Sequence, residues 1–167
     1  VPFEKEKEMR KFVAVGILLA LAASAQAGVI TSFVQVEGPT IPDGYTVWDM
    51  QSNATTDWTN SRILLTLTAA EIYQDGVGSD VEPNPAFFTV FQTLEWDTYL
   101  AVPAGYPKAA SFAGEDVMIV EPQHLEVSWF DSASGGDGLK TIARITLSND
   151  AVGEVSGRSY DVDTQGV

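Results

Sequence analysis

The side chains able to do chemistry in this sequence are few, and most are carboxylates. His124, in Glu121-Pro-Gln-His-Leu, is the one imidazole, and there is no cysteine. A serine hydrolase relay needs its serine on a sharp turn within reach of a histidine, and no Gly-x-Ser-x-Gly stands anywhere in the chain. His124 therefore reads as a residue at a turn or at the start of a strand. A single histidine without thiols does not supply the converging nitrogen and sulfur ligands that zinc takes. Glu95 and Asp97 flank Trp96, and on a strand both carboxylates would point to one face. A glycosidase uses such a pair beside aromatics; a half-buried strand with Trp96 in the core gives the same alternation with no chemistry.

Two loops carry acids among glycines: Asp75-Gly-Val-Gly-Ser-Asp80 and Asp131-Ser-Ala-Ser-Gly-Gly-Asp137-Gly138. Asp75, Asp80, Asp131 and Asp137 are the candidate calcium ligands, although neither loop has the alternating Asp/Asn spacing of an EF-hand, and plain turns compete with that reading. The stretch Gly135 to Thr141 fails as a phosphate loop because Leu139 precedes Lys140 where glycine is needed. Among the aromatics, Trp48, Trp96, Trp129, Tyr45 and Tyr99 sit in alternating stretches and read as core. Trp58, in a polar run, and Tyr106, between Gly105 and Pro107, are expected at the surface, where they are the candidate sugar-stacking residues. Asn53-Ala-Thr55 has the form of a glycosylation sequon, a match too short to carry weight by itself.

The elements that must position these residues begin with an export signal. From Met9 the chain shows a short basic start at Arg10 and Lys11, an apolar run from Phe12 to Ala23, and the small-x-small end Ala25-Gln26-Ala27. Cleavage is expected between Ala27 and Gly28, with residues 1–27 (an upstream charged stretch and the signal helix) outside the fold. The whole chain has 167 residues, with 23 acidic and nine basic side chains and a formal charge of −14. Residues 1–27 hold three of the acids and four of the bases, so the remainder has 20 against five. That balance excludes an electrostatic grip on nucleic acid or on an anionic membrane. Without disulfides, an exported domain of residues 28–167 must be held by its core alone, and that length suffices.

In residues 28–167 the hydrophobic period is mostly two. Ile63, Leu65 and Leu67 share one face, as do Ala143, Ile145 and Leu147, with Ile142, Arg144 and Thr146 opposite. Strands are expected at Ile30–Glu37, Tyr45–Met50, Arg62–Thr68, Leu94–Val102, Val117–Val120, Leu125–Phe130, Thr141–Leu147 and Arg158–Val162, separated by Gly, Pro, Asp and Asn clusters. One short helix is expected over Asn84–Phe91, capped by Asn84 with Pro85 at its first position and Phe87, Phe88 and Phe91 on one side, and a shorter one over Ala69–Tyr73. About eight or nine short strands without βαβ alternation predict an all-β antiparallel sandwich of jelly-roll or immunoglobulin-like topology.

Asp57-Trp-Thr-Asn-Ser-Arg-Ile-Leu-Leu-Thr-Leu-Thr68, Glu71-Ile-Tyr73, Asn84-Pro-Ala86, Leu94-Glu-Trp-Asp-Thr-Tyr99, Val127-Ser-Trp-Phe130 and Ala143-Arg-Ile-Thr-Leu-Ser148 together resemble uncharacterised exported bacterial proteins of the PEP-CTERM kind. The resemblance implies a β-rich domain routed to the cell surface or extracellular matrix by a C-terminal tail of Pro-Glu-Pro, one membrane helix and a basic cluster. The sequence departs from that pattern at Asp163-Thr-Gln-Gly-Val167, which carries no such tail and reads as a truncated form or a released relative. A weaker similarity, over Gly136 to Leu147, is to cohesin-type sandwiches and implies a jelly-roll with a docking partner.

The function these readings predict is an exported, extracellular or cell-surface β-sandwich that is not an enzyme and has a structural or adhesive role. The alternatives are a glycan- or protein-binding module acting through Trp58 and Tyr106 and, more remotely, a glycoside hydrolase using Glu95 and Asp97. No cofactor is expected apart from the calcium option. The partner would be an extracellular polysaccharide or a surface protein, with no nucleic acid and no membrane-integral segment after cleavage unless a C-terminal tail belongs to the protein.

Overall fold

The computed structural model describes residues 29–104, 111–112, 119–131 and 135–163. The expected signal segment, its cleavage point at Ala27 and Gly28, and Tyr106 lie outside the described residues. The described strands are β1 (Val29–Val36), β2 (Tyr45–Ala54), β3 (Trp58–Ala69), β4 (Tyr99–Leu100), β5 (Ser111–Phe112), β6 (Ile119–Glu121), β7 (His124–Phe130), β8 (Gly138–Ser148) and β9 (Val152–Asp161). They form two antiparallel sheets, one in the order β1-β2-β8-β4 and the other β5-β7-β3-β9 with β6 also on β7. The all-β antiparallel sandwich read from period-two patterning is the observed architecture.

The core lies between the sheets and is built from the alternating positions. Ile63, Leu65 and Leu67 of β3, with Leu125, Val127 and Trp129 of β7, meet Met50 and Ala54 of β2 and Ala143, Ile145 and Leu147 of β8. Trp129 is fully buried and its indole N–H donates to the Ala101 carbonyl at 2.9 Å, so the ring is packed without an orphaned donor. Ile142, expected on the outer face with Arg144, is also fully buried. The register of β2 against β8 shifts between Met50 and Gln51, and this irregularity turns two successive β8 residues, Ile142 and Ala143, away from solvent.

Three local expectations are corrected. Leu94–Val102 is not one strand: Gln92–Trp96 is a 3-10 helix, and only Tyr99–Leu100 pairs, with β8. Side chains stand where ladder bonds would run: Asp97 takes the Thr98 amide, and Thr98 Oγ1 takes the Thr146 amide. Over Asn84–Phe91 the helix reduces to a 3-10 turn, Pro85–Phe87, with Asn84 accepting from the Ala86 amide as a cap. Phe87 and Phe91 are 52% and 42% exposed, and Phe88 is half-buried. Ala69–Tyr73 is no helix: Ala70 adopts φ 68°, and Ile72 leaves the turn to bridge Leu147. The left-handed residue reverses the chain out of β3, which a helix would not do.

Because Ile63 sits wholly buried between the sheets, Ile63→Ala should lower unfolding free energy by about 2–5 kcal/mol, measured by urea denaturation, while the exposed Thr66→Ala on the same strand should change it by less than about 0.5 kcal/mol.

Candidate functional site

Where the sequence suggested chemistry, the chain has folded back on the outer face of the first sheet. The segment 92–98 lies over the end of β8, and Arg144 is the post it is tied to. The Arg144 guanidinium makes a two-pronged bond to Asp49 on β2, Nε to Oδ1 at 2.8 Å and Nη2 to Oδ2 at 3.0 Å, and donates through Nη1 to the Glu95 carbonyl at 2.9 Å. Its plane is flanked by aromatics, with the guanidinium carbon 5.3 Å from the Trp96 ring centre and 5.7 Å from that of Tyr99. Planar, delocalised and weakly hydrated, arginine tolerates this position as lysine would not. Burial works against its charge, and the Asp49 hydrogen bond and nearby Tyr99 more than restore it, so its pKa lies above the ordinary value. Burial pushes the Tyr99 phenol up to about 12 against the opposing pull of Arg144. The half-buried Glu82 carboxyl is raised by burial and pulled back by Arg144.

The rest of the segment is fastened by hydroxyls. Thr146 Oγ1 donates to the Trp96 carbonyl at 2.5 Å, and the Thr146 amide donates to Thr98 Oγ1 at 3.0 Å. Trp96 donates through its indole N–H to Thr40 Oγ1 at 2.8 Å. Its ring is laid so close on Gly38 that a Cβ there would fall 2.4 Å from the six-membered ring.

Asp97, with no exposed surface, completes the arrangement. Its Oδ1 accepts from the Asp75 amide at 2.8 Å and from the Thr98 amide at 2.9 Å. Its Oδ2 rests against Gly78, where a Cβ would stand 1.8 Å away, so the loop closes on Asp97 only because residue 78 is glycine. Burial raises the Asp97 carboxyl to about 6; the Asp75, Thr98 and Ser79 amides oppose the rise and the Asp75 charge adds to it. Asp75 accepts from Thr93 Oγ1 of the 92–96 turn at 2.6 Å, from the Val77 amide of its own loop at 3.0 Å and from the Tyr73 hydroxyl at 3.3 Å. Those bonds outweigh burial and hold its pKa below the ordinary carboxylate value. The carboxyl that is buried among amides is thus the basic one, and its neighbour the acidic one.

The four candidate calcium ligands do not converge. The loop with Asp75 and Asp80 attaches near the end of β8, where the Tyr73 amide donates to the Thr146 carbonyl. The loop with Asp131 and Asp137 leads into the start of β8 at Gly138. Asp80 itself lies beside Leu100, which pairs with Ala143, five residues along β8 from Gly138. Among the described residues no three His, Cys, Asp or Glu side chains are grouped to hold a metal ion. Asp75 faces its own loop, Asp80 gives its carbonyl to the Leu100 amide, and Asp137 is exposed.

Trp58 is the second correction. It is 1% exposed, with its indole N–H on Ser61 Oγ at 2.9 Å and Gly135 packed on its ring, so it offers no face to a sugar. Of its polar neighbours, Asp57 is exposed, Thr59 and Asn60 are half-buried, and Ser61 is buried with the indole. His124 opens β7, its Nδ1 3.3 Å from Thr66 Oγ1 and its Nε2 3.8 Å from the Glu126 carboxylate, in a surface setting. The Arg144–Asp49 pair was missed at the sequence level. Its one signal was a lone arginine in the middle of an otherwise apolar and hydroxylic strand, Thr141 to Leu147.

Compared with protein-family models, with curated proteins and with solved structures, the chain matches none.

Three outcomes follow from this geometry. Arg144→Met strands the Asp49 carboxylate in a buried site and should cost about 3–5 kcal/mol of unfolding free energy, read by denaturant titration. Trp58→Ala should cost about 3–5 kcal/mol, appearing as a lowered denaturation midpoint instead of a selective loss of sugar binding. Asp97 has a raised folded-state pKa, so its contribution to stability is greatest below about pH 4 and is lost as pH rises through about 6. The stability difference between the wild type and Asp97→Asn should therefore fall across pH 4 to 6.5, and be flat above 7.

Proposed function

We propose that the protein is an exported sandwich of the extracellular space or cell surface, with a structural or adhesive role and no catalytic site of its own. The observation that carries this reading is what the chemically capable side chains do. Arg144 and Asp49 satisfy each other, Asp97 holds two backbone amides, and Asp75 has three hydrogen bonds within its own neighbourhood. A catalytic constellation keeps at least one such group open toward substrate; here they fasten a segment to a sheet. Export rests on the segment Met9 to Ala27, and the acidic surface suits a soluble extracellular domain. The likeness to exported bacterial proteins of the PEP-CTERM kind points the same way.

A binding module is the second reading, favoured by the exposure of Phe87, Val90 and Phe91 within an uncharged stretch running from residue 83 to 94. Exposed aromatics grouped on one segment are the kind of surface that ligands stack on. The contact residues would then be Phe87 and Phe91, in place of Trp58.

The test is the intact mass and location of the native protein in its producing cells. A species beginning at Gly28 in the medium or envelope is the expected result; retention in the cytoplasm with residues 1–27 still attached would overturn it. For the binding reading, a glycan array should show a signal that Phe87→Ser removes, with denaturation midpoint unchanged.

A further inference from the structure

A β-sheet edge displays a row of backbone N–H and C=O groups, and folded proteins blunt that row with shortness, charge, proline or bulges. Among the described residues, the edges at β4 and β9 are treated so. β4 has two residues. β9 is long but carries Glu154, Arg158 and Asp161, and its pairing with β3 shifts register twice. The edge at β1 is different. β1 runs for eight residues, Val29-Ile-Thr-Ser-Phe-Val-Gln-Val36, with no charge, no proline and no glycine. Its register against β2 is unbroken from Val29 opposite Ala54 to Val36 opposite Val47. Among the described residues, none outside β2 bonds its backbone. It also shows solvent two large apolar side chains, Ile30 at 59% and Val34 at 43% exposure.

The geometry points to β1 as a self-pairing edge, at which two copies of this chain join the β1-β2-β8-β4 sheets antiparallel about a two-fold axis at Ser32. Both alternation and charge select a second copy as the occupant. Val29 is buried and Phe33 packs on the core while Ile30 and Val34 are exposed, so from 29 to 34 odd positions face inward and even positions outward; the alternation ends at Gln35, which is exposed. Across an antiparallel ladder, opposed residues lie on the same face. With Ser32 opposite itself, Ile30 of each copy meets Val34 of the other on the outer face, and Thr31 meets Phe33 on the inner. The exposed apolar residues are thus each other's partners. Two chains of charge −14 repel over most approaches. The uncharged β1 edge lets them meet without opposing carboxylates along the seam, and an isologous contact of this kind closes as a dimer instead of growing into a fibre.

The absence of cysteine makes the register directly testable. The full sequence, expressed so that it is exported and processed as in its own cells, is studied by sedimentation equilibrium over a wide concentration range. The expected result is a reversible monomer–dimer mass, with Val34→Lys raising the dissociation constant by about tenfold or more. Because Val34 is exposed, that variant keeps its far-ultraviolet dichroism and denaturation midpoint. Ser32→Cys should oxidise to a covalent dimer, since self-opposed strand residues lie about 4.5–5.5 Å apart between Cα atoms. Gln35→Cys, whose counterpart is Val29, should not. A chain that stays monomeric at every concentration, a dimer that Val34→Lys leaves intact, or cross-linking through Gln35→Cys but not Ser32→Cys would each overturn the self-pairing. A monomer would leave the edge for an extended segment of another protein.

Discussion

The pairing of Arg144 with Asp49 is the contact on which the outer half of this molecule depends. It joins two adjacent strands of one sheet, receives the Glu95 carbonyl, and lies between the rings of Trp96 and Tyr99. A carboxylate placed there without its guanidinium would carry a desolvation penalty larger than any surface ion pair returns. Removing both charges together would be less costly in energy but would leave the Glu95 carbonyl and the two rings without their common anchor. The pair accordingly does more to fix where residues 92–99 lie than to raise the stability of the sheet.

Asp97 extends the same logic from a strand to a loop. A wholly buried carboxylate that collects the Asp75 and Thr98 amides welds the Asp75–Asp80 loop to the segment that Arg144 has already placed. Glycine at 78 is what lets the loop come so close. The arrangement raises the pKa of Asp97 and so spends stability at neutral pH to gain position. Carboxylates raised in this way occur in active sites too, which is why a pKa without an open substrate face does not identify an enzyme. Here the neighbours that perturb Asp97 are the parts it holds together.

The functional reading and the architecture meet at the sandwich's surface. Among the described residues, Arg144, Asp49, Asp97 and Asp75 are turned to internal use, and the surface shows a short uncharged aromatic turn and an uncharged strand at the β1 edge. The contrast between β1 and β9 shows two treatments of an edge side by side. β9 carries charges and an irregular register; β1 is uncharged and its register with β2 is unbroken.

The amino-acid sequence by itself determined the all-β class, most strand positions and most of the core. Alternation is a local property, and Ile63, Leu65, Leu67, Ala143, Ile145 and Leu147 announce their inward face wherever the strands end up. It also determined the acidity and the lack of thiol or imidazole clusters, since these are matters of composition. Tertiary structure decided everything that depends on residues far apart in the chain. Arg144 finds Asp49 across 95 positions and Asp97 finds the Asp75 amide across 22, and no spacing rule spans such distances. The same long-range pairing left only Tyr99–Leu100 of Leu94–Val102 as strand, with a 3-10 turn before it, and buried Trp58 in spite of its polar sequence neighbours. Local pattern chooses the face a residue shows; only the assembled sheets choose what that face meets.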